Sequence, residues 1–106
     1  MTFKLQPPPT FWWKVQLTVP GEIKPETVEM EFNWRSKPDL ITFRDEVLVK
    51  ESDEVSMLGM VKDWKIADAP FGVDTVRALL ANYPASAREV AQQYFEAHTE
   101  SRRKNS

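Results

Sequence analysis

Phe11-Trp12-Trp13-Lys14-Val15-Gln16-Leu17-Thr18-Val19 is the stretch from which the architecture can be read. Phe11, Trp13, Val15, Leu17 and Val19 fall on one side of an extended chain, and Trp12, Lys14, Gln16 and Thr18 fall on the other. A period of two with one apolar side predicts a half-buried antiparallel strand. Pro20-Gly21 then signals a turn, and Pro25 closes the connection. A second run alternates in the same way, with Val28, Met30, Phe32 and Trp34 facing Thr27, Glu29, Glu31 and Asn33. The two runs predict a β-hairpin. An isolated hairpin is marginal in water, so its apolar face needs a cover.

Upstream, Pro7-Pro8-Pro9 predicts a stiff extended segment that cannot be helical. It sets apart a short apolar arm, Phe3 to Leu5, which is a candidate third strand. Downstream lies the helical cover. Ser36 reads as an N-cap, with Pro38 and Asp39 in the first turn and Leu40, Phe43 and Val47 at helical spacing. Leu40 to Phe43 also fits a strand. Val55, Leu58 and Val61, with Met57 beside them, predict a shorter helix ending near Trp64. After the loop Asp68 to Gly72, Val76, Leu79 and Leu80 mark a third helix that stops at Tyr83-Pro84. Ser86-Ala87-Arg88-Glu89 matches a capping box and opens the last helix, with Val90, Ala91, Tyr94, Phe95 and His98 on one broad face.

The expected fold is therefore α+β: an antiparallel β-hairpin, with room for a third strand, packed against three or four helices. Residues 1–106 read as a single domain. The β-rich part is 1–35, the helical part is 36–99, and 100–106 is a polar tail expected to fray.

Composition narrows the function. The chain has no cysteine, so disulfides, thiolate nucleophiles and cysteine zinc sites are all excluded. Fourteen basic residues against sixteen acidic ones give a formal charge of −2, which exerts little pull on a phosphate backbone. No apolar run approaches the ~20 residues of a membrane span. Residues Met1 to Gln6 lack the apolar core of a secretory signal, so a cytosolic product is expected.

Motifs for chemistry are missing. His98 is the only histidine and reads as a helix-end residue, because Glu100, two positions on, lies on another helix face. Asp45, Glu46, Glu51, Asp53 and Glu54 form an acidic cluster without the glycine that an oxygen-ligand loop needs. Gly21, Gly59 and Gly72 match no phosphate-binding pattern. No catalytic residue, metal or cofactor is expected. The apolar surface is the better lead, since 11% of the chain is aromatic. Trp12 falls on the polar side of its strand. Met57 and Met60 suit either an adaptable contact surface or gap-filling in the core. Trp12, Met57, Met60, Trp64 and Phe71 are the candidate protein-contact residues.

The order of features resembles a known family. The arm Phe3-Lys4-Leu5 leads to Pro9-Thr10-Phe11, the first strand ends in Val19-Pro20-Gly21, and the second carries Val28, Glu31, Phe32 and Arg35. Lys62-Asp63-Trp64, Pro70-Phe71 and Leu79-Leu80-Ala81-Asn82-Tyr83-Pro84 follow, then Tyr94 and Arg102-Arg103-Lys104-Asn105. In this order they are similar to the tail assembly chaperones of long-tailed bacteriophages and prophages. The resemblance implies a non-catalytic protein in the host bacterial cytoplasm. Its implied partners are the tape measure protein and, beside it, the major tail protein, with self-association open. The rival readings are a small nucleic-acid-binding regulator, on the strength of Arg102, Arg103 and Lys104, and a hydrolase.

Overall fold

The computed structural model describes residues 3–101. The first alternating run forms β1 (Thr10–Leu17) and the second forms β2 (Glu26–Asn33), paired antiparallel. Phe11 stands opposite Phe32, Trp13 opposite Met30 and Val15 opposite Val28, so the apolar residues of both strands share one face. Gly21 in the connecting turn has φ 88°, a region open to glycine because it has no Cβ. At the other end, the Trp34 N–H donates to the Pro9 carbonyl at 2.9 Å and ties the proline stem to the sheet.

The third strand is not the one expected. Phe3 and Leu5 are 87% and 89% exposed and form no strand. Instead β3 (Val61–Trp64) pairs antiparallel with β2, giving the order β1-β2-β3. It occupies residues expected to continue a helix. The register explains why. Phe32 pairs with Val61 and Glu31 with Asp63, so Lys62 is an extra residue, as in a β-bulge. Val61 and Trp64 therefore both turn to the core although they are three residues apart, a spacing that imitates a helix face.

Ser36 caps α1 (Lys37–Phe43), its Oγ accepting from the Asp39 N–H at 3.3 Å, which decides for helix at Leu40 to Phe43. A π-helical turn, Arg44–Leu48, follows. Ser52 caps α2 (Asp53–Met60) in the same manner, accepting from Val55 at 3.3 Å. The helix α3 (Val73–Asn82) stops before Tyr83-Pro84, and α4 (Ser86–Thr99) completes the set. The exposed pair Arg77 and Glu54, 2.6 Å apart, links α3 to α2 and lowers the Glu54 carboxyl below its ordinary value, chiefly through the hydrogen bond.

The expected capping box does not form. Ala85 is the N-cap, Ser86 already lies inside α4, and its Oγ is buried without a hydrogen-bond partner. Glu89 is engaged elsewhere: its carboxylate accepts from the N–H and hydroxyl of Thr18, at 2.9 and 2.5 Å. One turn on, the Gln93 amide accepts from the Gln16 N–H at 2.7 Å and donates to the Gln16 carbonyl at 2.8 Å. Four residues along a helix advance ~6 Å and two along a strand ~6.8 Å, so the two periods match. Through them α4 covers part of the open edge of β1, which would otherwise invite strand pairing.

The core gathers Val15, Met30 and Phe32 of the sheet with Met57, Met60, Val76, Val90 and Tyr94 of the helices. Met57 and Met60 are 0% and 1% exposed; they fill the core and offer nothing to a partner. The helix α4 ends at Thr99, and the basic cluster Arg102 to Lys104, with most of the tail expected to fray, lies outside the described residues.

Candidate functional site

Two arrangements stand out, one that holds the fold in register and one that forms an open apolar groove. The first centres on Tyr94. Its hydroxyl donates to the Asn33 carbonyl at 2.5 Å and accepts from Arg35 Nη1 at 2.8 Å. The same guanidinium nitrogen donates to the Gly59 carbonyl at 2.7 Å, and Asn33 Nδ2 donates to that carbonyl at 3.1 Å. The Arg35 guanidinium also lies 4.0 Å from the centroid of Phe43. Burial raises the Tyr94 hydroxyl above its ordinary pKa, with Arg35 pulling the other way.

His98 belongs to this cluster and is not a bare helix-end residue. A backbone N–H can only donate, so His98 Nε2 accepts from Arg35 at 3.1 Å. Nδ1 therefore carries the proton and donates to the Tyr94 carbonyl at 2.8 Å. The ring packs edge-on against Phe11 and Tyr94, and burial lowers its pKa, with the Arg35 charge adding to the effect. The neutral imidazole is used up as a structural donor and acceptor. This cluster joins β2, α1, α2 and α4.

The second arrangement is an apolar groove of about 290 Å³ where the sheet meets α3. Leu17, Val28, Trp64 and Ile66 line the sheet side; Leu79 and Tyr83 line the helix side, with Ala78 exposed at the rim. Leu79 and Tyr83 are four apart, so they share one face as the helix ends. Trp64 is fixed by its Nε1, which donates to the Ala69 carbonyl at 2.6 Å, and by the Phe71 ring, edge-on with centroids 5.0 Å apart. Thr75 Oγ1 donates to the Pro70 carbonyl at 2.7 Å and steadies the intervening loop. The groove is thus walled by pinned groups and presents apolar surface with few polar atoms.

Of the five residues expected to meet a partner, Trp64 is a core residue, 5% exposed, whose edge lines this groove, and Phe71 packs against it. Trp12 lies on the opposite face of the sheet, half-buried, with Lys65 Nζ 4.8 Å above its ring. Met57 and Met60 are core. Leu17, Val28, Ile66, Ala78, Leu79 and Tyr83 were not foreseen, since nothing in the sequence shows that four separate segments converge. Only the pair Leu79 and Tyr83 carried a local signal.

No three His, Asp or Glu side chains among the described residues come together as a metal-holding group. No helix among them is long and apolar enough to cross a membrane. The family model for phage tail assembly chaperones matches residues 1–105. The chain belongs to the phage tail assembly chaperone family. Comparison with curated proteins and with solved structures finds no match. Membership implies a chaperone role in tail assembly and binding to tail proteins.

Proposed function

We propose that this family member is a non-catalytic chaperone that binds the tape measure protein in the host bacterial cytoplasm and keeps it soluble while the major tail protein assembles around it. The groove between Trp64 and α3 carries this reading. A long apolar client aggregates when exposed, and a groove that takes its apolar side chains shields it. An engineered cavity of about 150 Å³ accepts a benzene ring. At about 290 Å³ this groove has room for two large side chains, such as an i,i+4 pair on one face of a client helix. The preformed walls reduce the ordering cost of binding.

Co-expression with the tape measure protein of the same tail gene cluster, followed by affinity purification, tests the reading. The two chains should co-purify, and the tape measure protein alone should pellet. Absence of co-purification, together with DNA or RNA retained by the purified chain, would favour the nucleic-acid rival.

A further inference from the structure

The helix α2 passes into β3 with no loop between them: Met60 ends the helix and Val61 begins the strand. The Val61 N–H still donates to the Met57 carbonyl, as in a helix. Nothing local demands a stop there. Val55, Leu58 and Val61 keep helical spacing, and neither proline nor glycine lies between Met60 and Asp68.

The next turn of an α-helix would need the Asp63 N–H to donate to the Gly59 carbonyl. That carbonyl is already taken. Arg35 Nη1 donates to it at 2.7 Å and Asn33 Nδ2 at 3.1 Å, one donor for each of its two lone pairs. Asp63 instead stands opposite Glu31 in the sheet. Arg35 is itself fixed, by the Tyr94 hydroxyl at 2.8 Å and by the Phe43 ring at 4.0 Å. Gly59 makes this approach possible, since a Cβ there would stand 2.7 Å from Phe43 Cε1.

The stop decides where Trp64 goes. In β3 it stands opposite Met30, and its edge lines the groove. On a continued helix it would lie one turn beyond Met60, about 6 Å along the axis, and out of the sheet.

We infer that Arg35 and Asn33 are positioning residues for the groove: by occupying the Gly59 carbonyl they end α2 and hold residues 61–64 as the strand that carries Trp64. Without that latch α2 runs on through Trp64, and the groove loses this part of its wall. The consequence for client binding rests on the reading of the groove as the client's seat.

Lys62→Pro separates a latch from a simple prop. Proline suits β3, because Lys62 is the extra residue of an edge strand and Val61 before it is extended, with φ −110° and ψ 131°. It does not suit a continued α2, where it would lose the bond to the Leu58 carbonyl and clash with it. The full-length wild type, Arg35→Met, Lys62→Pro and the double variant are compared by the α-carbon chemical shifts of residues 61–64 and by binding to immobilised tape measure protein. Wild type and Lys62→Pro should show strand shifts and bind alike. Arg35→Met, which keeps an apolar stem against Phe43, should show helical shifts at 61–64, and adding Lys62→Pro should return them to strand. If roughly nine chains in ten turn helical, binding should weaken by roughly tenfold and recover in the double variant. Strand shifts in a folded Arg35→Met overturn the inference. So does a double variant no closer to wild type than Arg35→Met alone, whether or not that variant folds. Should the shifts change and recover while binding stays constant, the latch stands and the groove is not the client's seat.

Discussion

His98 Nε2 accepts a hydrogen bond from the Arg35 backbone N–H at 3.1 Å, so the imidazole is held neutral where α4 meets the end of β2. Burial puts its pKa in the folded chain below the ordinary 6.5. On acidification the unfolded chain takes the proton first, so stability is complete above pH 6.5 and falls as pH drops through the folded value. Urea melts from pH 7.5 to 5.5 should show this decline, and His98→Gln, which keeps an acceptor without titrating, should flatten it. An equally steep decline in His98→Gln would assign the effect to other groups.

Gly59 is fixed by contact, not by its backbone angle. A Cβ there would stand 2.7 Å from Phe43 Cε1, and Phe43 is backed by the Arg35 guanidinium at 4.0 Å. Alanine is the better helix former by ~1 kcal/mol, but overpacking costs ~1–3 kcal/mol, so the clash outweighs the propensity. Gly59→Ala should lower the urea midpoint. A raised midpoint would show that Phe43 moves freely.

The edge bonds of Gln93 should also be measurable. Gln93→Ala removes one donor and one acceptor from Gln16, at ~0.5–1.5 kcal/mol each. Chemical denaturation should register the sum, and no change would mean that water replaces both bonds.

The neighbouring tryptophans of β1 should respond unequally. Trp13 packs against the core, and Trp13→Ala should cost ~3 kcal/mol or more. Trp12 meets Lys65 on the other face, a contact worth ~0.5–1 kcal/mol, so Trp12→Ala should cost much less. Equal losses in paired melts would place both rings in the core.

Much of this architecture is written locally. The alternation from Phe11 to Val19 and from Val28 to Trp34 specifies the hairpin, and Ser36 and Pro84 mark helix boundaries because caps and prolines act within a few residues. β3 was hidden because the extra residue Lys62 gives Val61 and Trp64 a helical spacing. The capping box failed because Glu89 finds Thr18, 71 residues away in sequence. The same distance effect hid the role of His98 and the groove, whose walls come from four segments. Trp64 and Phe71 were legible as candidate contact residues, but their edge-on pairing and the burial of Trp64 were not.

Ala78 offers the most direct test, because it is exposed and lines the groove. Ala78→Glu should leave stability within ~0.5 kcal/mol, as for ordinary surface changes. The decisive measurement is a titration of immobilised tape measure protein with wild-type and Ala78→Glu chains of matched stability. Binding by Ala78→Glu should be weaker by roughly tenfold or more, the cost of placing a carboxylate against apolar side chains. Equal binding by the two proteins would contradict the groove as the seat of the client.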